Sequence, residues 1–362
     1  MCGDVMTGRG VDQILPHPGD PRLWETYLRD ARAYVRLAED AHGPIPRPVD
    51  FSWPWGEALA TLDAVAPDVR LINLETSITR GIDIAAGKAV HYRMNPENVP
   101  GLTVARPDAC VLANNHVLDF GRRGLDDTLA TLRAAGLRTA GAGRDADHAE
   151  RPTVIDLPGG RRVLVFACAT ESSGVPPSWA AGPDRPGIAF VADPSEDAAA
   201  RIIERVRRWR LPGDVVVASV HWGSNWGYHV PADHVGFAHR LAEGGVDLVY
   251  GHSSHHPRPI EVHRGRLILY GCGDFIDDYE GISGHEPYRD DLRVMYFPSI
   301  EPEHGRLARL RMVVLRARRM RLEPAPPEDV EWLGGVLDQV GRPFGTRVEP
   351  APGGMLELRT VA

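Results

Sequence analysis

The chain has 362 residues, 43% hydrophobic, 25% charged and 7% aromatic, a composition that excludes a disordered chain, a collagen-like repeat and a low-complexity polymer. The formal net charge of −8 provides no global basic field to attract nucleic acid or an anionic membrane. Lys88 is the only lysine, and it lacks the glycine-rich surroundings of a phosphate-binding loop.

Short runs rich in Val, Ile and Leu, bounded by Gly, Asp or Pro, predict strands at 69–73, 109–113, 163–169, 215–220, 248–250, 259–263 and 267–270. Amphipathic stretches lie between them. Leu125, Leu129 and Leu132 fall at helical spacing in 125–135, and Gly136 is placed to stop that helix. Residues 198–209 and 234–243 read the same way. The segment 153–169, split by Pro158-Gly159-Gly160, predicts a hairpin, and 292–297 and 307–315 predict further antiparallel strands. This alternation predicts an α/β layered fold, with one domain over 1–320 and residues 321–362 as a C-terminal appendage packed on it.

Three segments read as long loops: 82–100, 172–187 and 277–291. Loops of that length in a layered domain usually bind or cover something. The acidic run Asp277-Asp278-Tyr279-Glu280 reads as solvated surface, with cation or amine binding as the alternative. Cys2, Cys110, Cys168 and Cys272 are scattered, which predicts free thiols and no disulfide framework or zinc ribbon. No apolar stretch approaches the ~20 residues of a membrane span and no secretory signal opens the chain. The expectation is a cytoplasmic protein without a membrane anchor; the oligomeric state stays open.

Chemistry-bearing residues collect where strands end. Asp4 opens the chain, and Asn73-Leu74-Glu75 closes one strand. Asn114-Asn115-His116 follows another, with Asp119 three residues on. His221-Trp222-Gly223 and Gly251-His252-Ser253-Ser254-His255 close two more. Ligands of layered α/β folds bind beyond the carboxyl ends of strands. Carboxylate, carboxamide and imidazole together are donors for divalent metals, with Mn, Fe and Zn all compatible. Each element alone also has an ordinary structural explanation: Asn-Asn suits a turn, and Asp119 is placed to cap the helix that starts near Gly121.

Taken in order, Gly3-Asp4-Val5-Met6-Thr7-Gly8-Arg9, Asn73-Leu74-Glu75, Asn114-Asn115-His116-Val117-Leu118-Asp119, Gly141-Ala142-Gly143, His221-Trp222-Gly223 and Gly251-His252-Ser253-Ser254-His255 resemble the motifs of the CapA-type poly-γ-glutamate biosynthesis proteins. These are similar to the calcineurin-like metallophosphoesterases. The resemblance runs from Gly3 to about Phe275. It implies a four-layer α/β/β/α sandwich of the metallophosphoesterase type with one or two divalent ions at its strand ends. It further implies Asp4 and His255 as ligands of the first ion, Glu75 as the bridge, and Asn115, His221 and His252 as ligands of the second. His116 would be a non-ligand group assisting the reaction, with Asp119 as its acid partner.

The chain departs from the pattern at several places: Glu75 stands for the usual bridging Asp, and the acid near His116 is Asp119 rather than the next residue. Met6 stands where the superfamily has a ligand His, which predicts a weaker first site. Gly273-Asp274-Phe275 replaces an expected Gly-Asn-Phe and adds a carboxylate. The first motif also begins almost at Met1, which implies either a start further upstream or a truncated first strand. Arg93, Trp222 and Trp226 are candidates for substrate contact, although a solvated Arg and packed aromatics are the commoner outcomes. The expected activity is metal-dependent hydrolysis of a phosphoester or amide in a small or γ-glutamyl-like, peptide-like substrate. The alternative is a non-catalytic metal-site protein that binds a polymer or a partner in capsule biosynthesis. Nucleic acid is not expected as a partner.

Overall fold

In the computed structural model, which describes residues 1–361, the apolar runs form the strands of three main sheets. The first has five parallel strands in the order Asp274–Ile276, Asp4–Val5, Leu71–Leu74, Ala109–Val111 and Arg138–Ala140. The second runs Phe190–Val191, Arg162–Thr170, Val215–His221, Leu248–His252 and Arg266–Leu269 in parallel, with Ile260–His263 antiparallel at its edge. Thr153–Asp156 pairs antiparallel with Arg162–Thr170, forming the expected hairpin. The fold is mixed α/β, built on parallel and mixed sheets.

Side-chain alternation explains why the strand Arg162–Thr170 is apolar nearly throughout. Val163, Val165, Ala167 and Ala169 join the large core shared with Val5, Leu71, Ile72 and Val111 of the first sheet. Leu164, Phe166 and Cys168 point the other way, into a second core. There they meet Ile202, Ile203 and Val206 of helix Glu196–Trp209, and Phe237 and Leu241 of helix Ala232–Glu243. A strand covered on both faces has no position for a solvated side chain.

The third sheet is antiparallel: Leu292–Glu301, Arg306–Ala317, Met355–Thr360 and Thr346–Ala351, with Leu322–Pro324 beside Arg306–Ala317. Strands from both sides of residue 320 share this sheet, and helix Pro327–Gly341 packs on Thr346–Ala351. All four cysteines are buried and free. Among the described residues no helix is long and apolar enough to cross a membrane.

The acidic run is not solvated surface. Asp277, Asp278 and Glu280 are buried, because each has a partner that offsets the cost of leaving water. Arg293 Nη2 donates to Asp277 at 2.6 Å. Arg9 Nε and the Gly10 N–H donate to Asp278 at 3.1 and 2.7 Å. The Arg319 N–H donates to Glu280 at 2.7 Å. Arg9 also donates to Glu25 and Tyr34, both at 3.0 Å. It thereby ties the segment after Asp274–Ile276 to the N-terminal helices.

Candidate metal centre

Asp4, Glu75, Asn115, His221 and His252 meet at the carboxyl ends of strands from both large sheets. Asp4, His221 and His252 each bring one ligand atom within 4.8 Å of the others, and all three are buried. Strand register does much of this: His221 lies directly opposite His252, and Asp4 opposite Asn73. In parallel strands, partners in register project to the same side.

The carboxylates are held by carboxamides. Asn73 Nδ2 donates to Asp4 Oδ1 at 2.8 Å and to Glu75 Oε2 at 3.1 Å. Asn114 Nδ2 donates to Asn73 Oδ1 at 3.0 Å and to the Leu74 carbonyl at 2.8 Å. Asn114 Oδ1 accepts the backbone N–H groups of His116 and Val117, each at 3.1 Å. Asn114 therefore forms the turn that presents Asn115 and His116. The sequence places Asn73 and Asn114 in the strand-end motifs but gives neither a role of its own; their work as donors to Asp4, Glu75 and Asn73 is visible only in the structure.

The imidazoles form a chain. His252 Nε2 lies 2.6 Å from Ser219 Oγ, His252 Nδ1 lies 2.8 Å from His221 Nδ1, and His221 Nε2 lies 3.1 Å from Asn115 Oδ1. One tautomer assignment satisfies all three contacts: Ser219 donates to His252, His252 to His221, and His221 to the amide oxygen. Burial holds His252 down at about 3. It also holds His221 well below the usual histidine range, with the nearby His252 adding to the effect. Both rings are thus neutral, the form that binds metal. The carboxylates shift the opposite way. Burial and then Asp274 raise Asp4 to about 7, and burial followed by Asp4 raises Glu75 well above the normal range.

A second cluster adjoins the first. His116 Nδ1 lies 2.6 Å from Asp119 Oδ2, and His116 Nε2 lies 3.9 Å from Glu75 Oε1. Lys88 Nζ is paired with Asp119 Oδ1, donates to the Asn115 carbonyl, and stands 3.2 Å from His116 Nδ1. Asp119 does not cap the following helix, Gly121–Ala134, which has no side-chain cap. Its Oδ2 instead accepts the Tyr92 N–H at 2.7 Å. Although burial opposes its charge, His116 and Lys88 bring the Asp119 pKa below the normal range. Burial lowers His116 to about 4; Asp119 opposes that shift and Lys88 adds to it. An ionised carboxylate only accepts, so the proton between the two is on His116 Nδ1, and Nε2 is free on the Glu75 side.

His255 sits at the edge of this group. Its Nδ1 faces Asp274 Oδ1 at 2.9 Å and its Nε2 faces Asn225 Nδ2 at 3.0 Å. Burial works against a charge on His255, but Asp274 outweighs it and the pKa is raised. Met6 is buried, with Sδ 3.9 Å from the Tyr279 hydroxyl. Trp226 is half-buried, lies 5.2 Å from His255 ring to ring, and stacks on His285 at 3.8 Å. The other two proposed substrate contacts are placed elsewhere. The guanidinium of Arg93 donates to the carbonyls of Gly81 at 2.7 Å and Asp20 at 2.9 Å. Trp222 is 1% exposed, stacked on His234 at 4.9 Å, with its indole N–H donated to the Tyr270 carbonyl at 2.9 Å. Both are committed to structure: Arg93 by carbonyls that need donors, Trp222 by a packed core. A cavity of about 350 Å³ lined by Val163, Val215, Leu248 and Pro298 lies at the opposite ends of the strands and contains none of the clustered residues.

The donor set fits divalent cations. Neutral imidazoles, carboxylates and an amide oxygen converge, and the buried Asp274 Oδ2 has no hydrogen-bond partner. Comparison with known proteins gives the same family as the resemblance. Residues 1–279 match the family described as bacterial capsule synthesis protein PGA_cap, and the chain belongs to that family. It is 55% identical over 357 residues, covering 98% of this chain and 94% of the relative, to a protein of Mycobacterium tuberculosis named "Probable polyglutamine synthesis accessory protein". It is 29% identical to the PGA biosynthesis protein CapA of Bacillus subtilis, over 81% of this chain and 66% of that protein. Identity to the capsule biosynthesis protein CapA of Bacillus anthracis is 23%, over 82% of this chain and 62% of that protein.

Proposed function

We propose that the chain is a metal-dependent hydrolase with the four-layer architecture of the metallophosphoesterases. Its substrate would be a phosphoester or amide of a small or γ-glutamyl-like molecule in capsule or polyglutamate metabolism. The observation that carries this reading is the convergence of Asp4, His221 and His252, from strands of two sheets, into ligand range of one another. Asp4, Glu75, Asn115, His221 and His252 would hold one or two ions of the Mn, Fe or Zn class. When bound, such ions lower the pKa of a water toward neutrality and offset charge that develops on the oxygens of the substrate.

The other groups have work that does not depend on the ion's identity. Asn73 keeps Asp4 and Glu75 side by side through its two donated hydrogen bonds. His116 enters neutral, with Nε2 toward Glu75, so it takes up a proton there and returns one to a leaving oxygen or nitrogen. Asp119 fixes the tautomer and stabilises the ring once it is charged. Lys88 keeps Asp119 ionised. Trp226 and His285 offer a flat apolar wall beside His255.

The test is metal analysis of protein purified without chelator, paired with turnover of bis-p-nitrophenyl phosphate and of a γ-glutamyl anilide. Bound transition metal with turnover of either substrate supports the reading. Protein that takes up no Mn, Fe or Zn overturns it.

A further inference from the structure

Helix Ala232–Glu243 meets the edge strand Ile260–His263 at the end of the second sheet away from His252. His263 pairs with Arg266, next to the residue that opposes Leu248, where the strand ending in His252 begins. His239 and Glu243 are four apart on the helix and share a face. Glu261 and His263 are two apart on the strand and share a side. Arg264 and Gly265 both have positive φ and close a two-residue turn, which pins His263 in its register.

His239, Glu261 and His263 each bring one ligand atom within 4.8 Å of the others. His239 Nε2 lies 2.9 Å from Glu261 Oε1, and His263 Nδ1 lies 4.0 Å from the same oxygen. Donors bound to a tetrahedral zinc ion stand about 3.3–3.4 Å apart, so the two separations bracket that spacing. The two rings stack with their centroids 3.7 Å apart.

The remaining atoms of the cluster are already held. The Tyr270 hydroxyl donates to Glu261 Oε2 at 2.6 Å, which leaves Oε1 for an ion. His263 Nε2 faces Glu243 Oε1 at 3.1 Å. A carboxylate only accepts, so in the neutral ring the proton is on Nε2 and Nδ1 has its lone pair free. An imidazole backed in this way by a carboxylate is the common setting of a metal-binding histidine. Arg264 is paired with the same Glu243 oxygen at 3.2 Å, which commits Glu243 to support. Glu261 is buried and both rings are partly exposed, so an ion reaches the cluster from solvent.

We propose that His239, Glu261 and His263 bind a Zn²⁺ ion that links helix Ala232–Glu243 to the edge strand. A water fills the fourth position. Two imidazoles and one carboxylate suit this borderline ion better than Mg²⁺ or Ca²⁺. The ion takes the place of the proton that His239 and Glu261 share. Glu243 is a positioning residue for His263, and Tyr270 for Glu261. The site shares no residue with the centre at Asp4, His221 and His252, and the inference stands independently of that reading.

Metal-stripped wild type, His263→Gln, Glu261→Gln and His252→Ala would be dialysed against buffered Zn²⁺ and their zinc measured by elemental analysis, with circular dichroism to check the fold. His263→Gln and Glu261→Gln are each expected to bind one equivalent fewer than wild type. His252→Ala should keep the equivalent that they lose, and its Tm should rise on adding Zn²⁺. Glu243→Gln should weaken the site about 10–100-fold without abolishing it. Folded His263→Gln and Glu261→Gln proteins with the wild-type zinc content overturn the inference and leave the centre at His221 and His252 intact. A wild-type protein that binds no zinc also overturns it, whereas that centre is judged on Mn and Fe as well. Should the variants not fold, wild-type crystals soaked in Zn²⁺ decide: an anomalous zinc peak between His239 and His263 supports the site, and its absence overturns it.

Discussion

Lys88 Nζ stands 3.2 Å from His116 Nδ1 and is paired with the carboxylate of Asp119 that faces the same nitrogen. The only lysine of the chain thus completes a Lys–Asp–His cluster whose lysine comes from a long loop. Lys88→Met should leave metal content unchanged and lower turnover about tenfold, since the His116 ring loses part of its orientation. Lys88→Arg should recover part of the loss. Steady-state kinetics on the wild-type substrate, paired with elemental analysis, reads both. A Lys88→Met enzyme with full turnover would make the contact structural only.

His116→Ala should keep its metal and lose about 10²–10⁴-fold in kcat, the usual contribution of a general acid or base. Asp119→Asn should lose less, because the ring remains but its tautomer is no longer fixed. Loss of metal together with activity in His116→Ala would make His116 a ligand.

Removing the metal should destabilise the protein, and more so at higher pH. Burial and then Asp274 raise Asp4 to about 7 in the absence of a cation, above its unfolded value near 3.8. The folded state therefore binds more protons than the unfolded state between those values, and stability falls as pH rises through that window. Bound cation removes the penalty by pairing the carboxylates. The drop in Tm on adding EDTA should be larger at pH 8 than at pH 5.5, as differential scanning fluorimetry would show. An equal drop at both values would mean that Asp4 keeps an ordinary pKa in the metal-free protein.

Arg9 should matter for folding more than for chemistry. It donates to Glu25, Tyr34 and Asp278 in a buried setting. Arg9→Met leaves two buried carboxylates without their partner, a change that costs about 3–5 kcal/mol. Urea unfolding would measure it; a loss under about 1 kcal/mol would mean that water or relaxation repairs the site.

The strands of the second sheet were legible because their burial on both faces required long apolar runs. The strands at 163–169, 215–220 and 248–250 were placed within a few residues of those observed. The two-residue strand Asp4–Val5 and the three-residue Asp274–Ile276 are too short for periodicity to show. Helix Arg9–Ile14 is likewise a turn and a half with nearly every residue buried, so it has no polar face to mark it. In the site, residues at the ends of long strands were found by that position. Lys88 and Asp274 gain their surroundings from the path of a loop and from a close backbone approach at Gly3, where an added Cβ would fall 1.9 Å from the Gly273 carbonyl oxygen; neither has a signal in the local sequence. Arg93 and Trp222 show the converse: residues of suitable chemistry, near motifs, whose polar groups are taken up by Gly81, Asp20 and Tyr270.

Anomalous diffraction from crystals of protein purified without chelator tests the metal centre most directly. The account predicts a transition-metal peak about 2.0–2.2 Å from imidazole nitrogens of His221 and His252, with Asp4 or Glu75 as oxygen ligand. The direct contact between His221 and His252 should then be replaced by the ion. Crystals soaked in Mn²⁺ or Zn²⁺ that show no peak there, with the two imidazoles still hydrogen-bonded to each other, would contradict it.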